Sequence, residues 1–301
     1  MNQPINIHLE NVNLSNNGGP NSFAQKLVKY LTLQGHSFDV NKAADFQLCF
    51  IESQKKLSNA PLFQRLDSIY FNTDFDFNAQ NQNIKRTYEM ADGVVFQSEF
   101  GKRLVTGFFG EHPNSIVIHN GADLEKIRSV NPIQHTVLDR YENVWTCAAN
   151  WRPHKRLEEN IRFFQGSRGE NDCLVVAGKV ERPIKADNIY YVGDVSIDTL
   201  ISLYKRSKYF VHLAWLDCCP NVVVDARACG CHIFCADSGG SGEVAGENAT
   251  ILKDADWDFR PMKLYDPPRI SYEKALNKNI PSEYDMELVA KKYIDFMKGS
   301  L

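Results

Sequence analysis

Residues 211–234 of the sequence read VHLAWLDCCPNVVVDARACGCHIF. The first of these residues are apolar and suit a buried strand, and Pro220 closes the loop that follows. A helix is predicted from Asn221 to Cys229, and residues 233–235 begin the next strand. This order predicts a parallel α/β sheet in which the loop leads into the amino terminus of a helix.

Alternating strand and helix patterns continue on both sides of this segment. Strands are predicted in the N-terminal half at residues 5–9, 38–40, 46–51, 93–97 and 115–118, with helices at 22–31 and 99–109. The C-terminal half repeats the alternation, with strands at 144–148, 173–177, 188–192, 210–213, 233–235 and 250–252 and helices at 157–164, 197–204 and 221–229. The predicted fold class is α/β, with two Rossmann-like, doubly wound parallel-sheet lobes.

The two series of alternating strands and helices predict two lobes, and a separate helix is predicted at the end of the chain. Residues 131–143 show no clear period and suit a linker. Near the C-terminus, Ser282 and Asp285 make a capping-box-like helix start, and apolar residues follow at helical spacing. The predicted domains are an N-terminal lobe at 1–135, a C-terminal lobe at 136–281 and a C-terminal helix at 282–301.

Composition excludes several classes of protein. Hydrophobic residues make up 43% and charged residues 24%, as in ordinary globular proteins. The formal net charge of -3 provides no basic field for nucleic acid or anionic lipid. No apolar stretch approaches the roughly 20 residues that span a bilayer, although a peripheral membrane contact stays open. Without a basic field, any bound anion must be held by a local constellation, which points to a small-molecule site. The absence of a cleavable signal pattern favours a cytoplasmic location.

The eight cysteines do not form a metal-binding pattern. No Cys-x-x-Cys pair occurs, and the tightest cluster is Cys229, Cys231, His232 and Cys235. This cluster extends over a predicted helix end, a turn and a strand, so convergence of its side chains on one zinc ion is not expected. We therefore predict buried thiols and no metal.

Two acids separated by seven residues, Asp217 and Asp225, lie on the loop and the helix of the opening segment. A helix amino terminus binds anions because its first amides are unpaired and its dipole is positive there. A carboxylate on that helix can accept ribose hydroxyls. Taken alone, Asp225 is better explained as a helix cap, and Asp217 as an ordinary loop residue, than either is as a ligand contact.

Together with its neighbours, this segment resembles the donor-binding motif of family 4 glycosyltransferases, which have the GT-B fold. The family has two Glu separated by seven residues, then Ala and a Cys-Gly pair. Here both acids are Asp, one methylene shorter, and Pro220 stands where the family often has Gly. Similar segments occur in the family's order along nearly the whole chain: GG at 18–19, NGAD at 120–123, NWRPHKR at 150–156, VGDV at 192–195 and SGGSGE at 238–243.

The resemblance implies a donor site in which Lys155 and Arg152 bind the diphosphate, Asp217 a sugar hydroxyl and Asp225 the ribose. Two cations beside a diphosphate neutralise the leaving group, whereas a lone basic cluster is usually solvated surface charge. The further implied donor-binding residues are Gly18, Gly19, Val192, Gly193, Asn221, Val222, Gly239, Gly240 and Glu243. For Gly18 and Gly19, a plain hairpin or a helix-entry turn is equally open as an alternative. For Glu243, the equally open alternative is that it begins the next helix.

On the acceptor side, the N-terminal lobe contributes Arg65, Asp67, Asn72 and Asp74 to this prediction. Asp74 and Asp76 have the Asp-x-Asp spacing of a different, metal-dependent class of glycosyltransferase. The pattern is short and lies in the wrong lobe for a donor metal, so no metal is expected there. We interpret Asn120-Gly121 as a structural turn that needs left-handed backbone.

The resemblance predicts retaining transfer of a hexose-type sugar from a nucleoside-diphosphate sugar to a glycan, lipid or protein-linked sugar, without a cofactor. It also predicts that the lobes face a central cleft and that the terminal helix returns to the first lobe. A GT-B sugar-nucleotide epimerase and a non-catalytic nucleotide-sugar-binding subunit are the alternatives. A Rossmann dehydrogenase is disfavoured because Gly18-Gly19 lacks the spaced third glycine of the dinucleotide fingerprint.

Overall fold

The computed structural model describes residues 3–16, 18–275 and 282–300 and divides into two compact units. Unit 1 comprises Met1–Ala122, Phe259–Met262 and Glu283–Leu301, and unit 2 comprises Asp123–Asp258 and Lys263–Ser282. Each unit contains one parallel sheet. Residue 281, the predicted end of the second lobe, lies outside the described residues.

Unit 1 is built on a five-stranded parallel sheet with the order β1-β2-β3-β4-β5. Its elements are β1 (Ile7–Glu10), α1 (Gly19–Leu33), β2 (Phe46–Phe50), β3 (Leu62–Leu66), α2 (Phe77–Met90), β4 (Gly93–Phe96), α3 (Glu99–Phe109) and β5 (Ser115–Val117). Strands β2, β3 and β4 are buried along their whole length, as expected for apolar runs in a parallel sheet.

The strand predicted at residues 38–40 does not form. Only an isolated parallel bridge between Ser37 and Asn6 lies on the free edge of β1. The Asn6 side chain accepts a hydrogen bond from the Asp39 amide (2.9 Å) and donates to the Asp39 carbonyl (3.0 Å), so it replaces strand partners. Val40 is consequently left exposed. The bridge still places the chain after α1 on the side of β1 opposite to β2, which makes this sheet doubly wound.

Unit 2 is built on a six-stranded parallel sheet with the order β11-β10-β9-β6-β7-β8. Its elements are α4 (Leu124–Ser129), β6 (Asn143–Ala148), α5 (Leu157–Ser167), β7 (Asp172–Ala177), β8 (Ile189–Gly193), α6 (Ile197–Arg206), β9 (Tyr209–His212), α7 (Asn221–Ala228), β10 (His232–Ala236), α8 (Ser241–Val244) and β11 (Ala249–Leu252). Strands β6, β7 and β8 are added in one direction, and β9, β10 and β11 continue from the other side of β6. The neighbouring carboxyl ends of β6 and β9 are therefore a topological switch point, where open α/β sheets bind ligands.

Unit 2 begins at Asp123, earlier than the boundary predicted at 135. The Asp123 carboxylate accepts a hydrogen bond from the Lys126 amide (3.0 Å) and so caps α4. The Lys126 ammonium lies 2.6 Å from Asp198 of α6, and Lys205 of α6 donates to the carbonyls at 127 and 130. These contacts attach α4 to the second unit. No local pattern in the sequence predicted that attachment.

The terminal helix α9 (Met286–Gly299) packs in unit 1. It buries the apolar face predicted from its spacing: Met286, Val289, Ala290, Tyr293, Ile294 and Met297. Its cap is Asp285 alone, whose carboxylate accepts from the Glu287 amide (2.9 Å). The predicted capping role of Ser282 is wrong, because its hydroxyl accepts a hydrogen bond from Arg227 (2.7 Å) in unit 2.

Gly121 lies against the start of α9. The left-handed backbone predicted there is wrong, since its φ is not positive. A Cβ atom at this position would lie 2.8 Å from the Met286 Cα and 2.9 Å from its sulfur. Glycine is required here because the helix approaches the backbone closely, and a turn conformation plays no part.

Gly121→Ala is therefore expected to destabilise unit 1 by about 1–3 kcal/mol, the usual cost of overpacking. Thermal unfolding followed by circular dichroism measures the change. Gly107→Ala is the matched control, because nothing lies within 4 Å of the new methyl group on α3. Equal melting temperatures for the two variants would contradict the packing explanation.

Candidate functional site

The switch point of unit 2 gathers the predicted diphosphate and sugar contacts. Lys155 ends a 3₁₀ turn (Pro153–Lys155) in the connection after β6, and Asp217 lies in the connection after β9. Although 62 residues apart, the Lys155 ammonium and the Asp217 Oδ2 atom are separated by 2.5 Å. Their side chains keep 19% and 14% exposure, so the pair is accessible to a ligand. Arg152 is exposed immediately before the turn.

Asp217 has a second partner, the imidazole of His212 at the end of β9. The His212 Nε2 atom lies 2.9 Å from Asp217 Oδ2. Burial alone would raise the pKa of Asp217, but the Lys155 charge and the His212 hydrogen bond hold it well below the usual value. Burial lowers the pKa of His212, with the hydrogen bond to Asp217 opposing that shift. The cluster therefore holds an ionised carboxylate between an ammonium and a neutral imidazole.

The glycine pair after β10 supports the Asp217 backbone. Gly239 has a φ of +79°, and a Cβ atom on it would lie 2.5 Å from the Asp217 carbonyl oxygen. The Gly240 amide donates to the same oxygen (2.7 Å). Both predicted glycines thus lie at the cluster, in contact with protein backbone. Glu243 is buried in the first turn of α8, in agreement with the helix-start alternative.

Helix α7 begins at Asn221, as predicted, with Pro220 as its N-cap residue. Asn221 and Val222 are half-buried in its first turn. Asp225 is the fifth residue of the helix and retains 8% exposure. The loop with Asp217 leads directly into the amino terminus of α7. Both lie on the switch-point side of the sheet, where a helix amino terminus can bind an anion.

The segment predicted to line the nucleobase lies at the same carboxyl edge of the sheet. Val192 is 45% exposed at the end of β8. The Gly178 amide donates to the Gly193 carbonyl (2.8 Å), which joins the ends of β7 and β8. A Cβ atom on Gly178 would lie 2.0 Å from the Ala149 carbonyl oxygen, so the connection after β6 is packed against this pair.

Arg156 is a residue that the sequence did not identify. It adopts left-handed backbone (φ 51°, ψ 52°), and its guanidinium is 1% exposed. It pairs bidentately with the fully buried Asp254 at 2.6 and 3.0 Å and donates to the Pro268 carbonyl (2.6 Å). Asp254 also accepts from the Ser238 hydroxyl (2.6 Å). This pair connects the basic turn to the glycine loop, and no local pattern predicts it.

In unit 1, Gly18 and Gly19 form the N-cap and the first residue of α1. Their φ values are not positive, and among the described residues the Asn21 amide nitrogen lies 3.8 Å from a Cβ placed on Gly18. The helix-entry alternative is what the structure shows. Both glycines are exposed, which also fits an approaching ligand.

Arg65 does not face an acceptor, which corrects its predicted position. Its guanidinium is buried and lies 4.1 Å from the Phe23 ring centroid. It donates to Asn120 (2.8 Å) and pairs with Asp67, whose side chain keeps 22% exposure. An arginine buried in this way is a structural core residue, because its donors are taken up by protein atoms.

The remaining predicted acceptor residues lie on the connection before α2. Asn72 is buried, and its side-chain oxygen accepts from the Asp74 amide (3.1 Å). Asp74 itself is exposed, whereas Asp76 caps α2 by accepting from the Ala79 amide (3.0 Å). The Asp-x-Asp pair therefore uses one of its carboxylates as a helix cap.

The eight cysteines are free thiols, and all except Cys229 are buried. Burial raises the pKa of Cys231 to about 12, as expected for an unreactive core thiol. Within the described part of the chain, no group of three or more His, Cys, Asp or Glu side chains is placed to hold a metal ion. No helix of that part is long and apolar enough for a bilayer.

Comparison with known proteins shows which family and which solved structures this chain is similar to. Residues 133–258 match the family model of glycosyl transferases group 1. Sucrose-phosphate synthase from Thermosynechococcus elongatus is similar in structure, with a TM-score of 0.69 at 12% identity over 99% of both chains. HepE of Anabaena in complex with UDP-glucose has a TM-score of 0.65 at 12% identity, over 98% of this chain and 100% of that chain.

A glycosyltransferase from Rickettsia africae ESF-5 has a TM-score of 0.64 at 13% identity over 99% of both chains. No curated protein matches the sequence significantly. The predicted fold of two Rossmann-like lobes is confirmed, and so is the resemblance to GT-B glycosyltransferases. The narrower assignment to family 4 stays a prediction.

Proposed function

We propose, from the match of residues 133–258 to the family model of glycosyl transferases group 1, that this chain transfers a hexose-type sugar from a nucleoside-diphosphate sugar to a hydroxyl acceptor with retention of anomeric configuration. The observation that supports it most directly is the Lys155–Asp217 pair at the switch point of unit 2. A cation and an ionised carboxylate at one point suit a ligand with an anionic leaving group and a hydroxylated sugar.

Each side chain has a distinct part in this mechanism. Lys155, Arg152 and the first amides of α7 bind the diphosphate and stabilise the charge that grows on the β-phosphate as the glycosidic bond breaks. Asp217 accepts a sugar hydroxyl, and Asp225 accepts ribose hydroxyls. The acceptor oxygen forms the new bond on the face that the phosphate leaves, and the departing phosphate oxygen takes its proton. No side chain is needed as the base, and no metal or cofactor is required.

The acceptor in this proposal is a glycan, a lipid or a protein-linked sugar, and the chain acts in the cytoplasm. We assign the contacts with the acceptor to unit 1, where Asp74 is exposed and Asp67 is partly exposed. The exposure of Gly18 and Gly19 supports a ligand contact at the start of α1.

A panel of UDP, GDP, ADP and their glucose conjugates tests the donor site by thermal shift. A ligand that binds only the native protein raises the melting temperature. Labelled donor incubated with mixed acceptors then separates the alternatives. Labelled glycoside supports the proposal, altered nucleotide sugar without an acceptor supports an epimerase, and binding without turnover supports a non-catalytic subunit. No shift with any donor would overturn all three.

Asp225→Asn is expected to weaken binding of the cognate nucleoside diphosphate by about tenfold, because the charge and one of the two acceptor oxygens are lost. Isothermal titration calorimetry measures this loss. Asp139→Asn, at an exposed position of the same unit, is the matched control and should bind as the parental protein does. Unchanged affinity in the Asp225 variant would remove it from the site.

A further inference from the structure

The side chain of Asp217 is held in one orientation by two donors on the same oxygen. Lys155 lies 2.5 Å from Oδ2, and His212 Nε2 lies 2.9 Å from it. No donor among the described residues reaches Oδ1, and the side chain keeps 14% exposure. One carboxylate oxygen is therefore bonded inside the protein, while the other has its acceptor capacity left for a ligand.

His212 is itself fixed by packing. It shares a face of β9 with Phe210, and the two rings are stacked at 11° with their centroids 6.4 Å apart. The ring of Tyr204 on α6 meets Phe210 edge-on at 5.2 Å. With 4% exposure, the imidazole has little freedom to turn. Because burial lowers its pKa and the acceptor is a carboxylate, the neutral ring carries its hydrogen on Nε2.

We propose that His212 is a positioning residue for the sugar contact of Asp217. Its Nε2–H, together with Lys155, holds Oδ2 so that Oδ1 is presented to a hydroxyl of the donor sugar. An aspartate is one methylene shorter than a glutamate, so its oxygens depend more on a fixed orientation to meet the substrate. The inference rests on the proposed function and concerns only the sugar half of the donor.

His212→Phe removes the donor and retains the ring that stacks on Phe210. His212→Gln restores an amide donor close to the former Nε2 position. Calorimetric titration compares the parental protein with both variants, using UDP-, GDP- and ADP-glucose and the matching nucleotides. UDP, GDP and ADP lack the glucose that would be transferred. Their binding is therefore insensitive to a contact between Asp217 Oδ1 and that glucose.

His212→Phe is expected to weaken binding of the cognate sugar nucleotide by about tenfold, with the matching nucleotide changed less than about twofold. His212→Gln should recover most of this loss. A purely structural role would weaken both ligands together. Equal losses, no loss, or a glutamine variant no better than phenylalanine would each overturn the inference, while binding of the donor to the parental protein would still support the proposed function. Failure of every glucose nucleotide to bind the parental protein would overturn the proposed function and this inference with it.

Discussion

Lys155→Ala is expected to lower kcat by about 10²–10³-fold, with a much smaller change in the affinity for the donor nucleotide. In the proposed mechanism, the diphosphate shares its charge in the ground state with solvent and with Arg152. As the glycosidic bond breaks, negative charge would grow on the β-phosphate oxygen, and the ammonium of Lys155 is expected to stabilise that charge most. An interaction that strengthens in the transition state affects turnover more than binding. Single-turnover transfer of labelled sugar measures the rate of the chemical step.

Removal of Lys155 also deprives Asp217 of its cation, so the melting temperature of the variant has to be recorded beside its rate. His212 still donates to the carboxylate, and the side chain is partly exposed to water, so unit 2 is expected to remain folded. Lys291→Ala is the matched control, since that lysine forms an exposed pair with Asp295 on α9. A Lys155 variant that transfers sugar at the parental rate would exclude the assigned role.

Elements whose signal is local were predicted well from the sequence. The segment 211–234 predicted a strand, a loop and a helix beginning at Asn221, and β9 and α7 follow that order. The apolar spacing of the last helix predicted the face that α9 buries. In both cases, the period of apolar residues depends on burial of one side of a single element.

Features that depend on distant partners were not predictable in the same way. Arg156 and Asp254 are 98 residues apart, and Arg65 and Asn120 are 55 residues apart. No local pattern distinguishes a buried arginine from a solvated one, so Arg65 was assigned to the acceptor and Arg156 was overlooked. Gly121 was recognised as necessary for a wrong reason, because the closeness of Met286 depends on tertiary packing.

Arg156→Met is expected to lower the free energy of unfolding by about 3–5 kcal/mol, because it leaves the Asp254 carboxylate buried without its cation. Both side chains are almost fully excluded from solvent, so water cannot replace the lost partner. Arginine and methionine both carry a Cβ, so the left-handed backbone costs each about the same. Urea unfolding followed by tryptophan fluorescence measures the change in unit 2, which contains all four tryptophans: Trp145, Trp151, Trp215 and Trp257.

Arg162→Met on α5 makes the same substitution at a surface pair. Its guanidinium is 49% exposed and pairs with Glu158 and Glu159, so the expected loss is under about 1 kcal/mol. The double variant Arg156→Met/Asp254→Leu should be more stable than Arg156→Met alone, because it also removes the Asp254 carboxylate that Arg156→Met leaves buried without a cation. If Arg156→Met and Arg162→Met lost equal stability, the buried pair would not be what holds the basic turn beside the glycine loop.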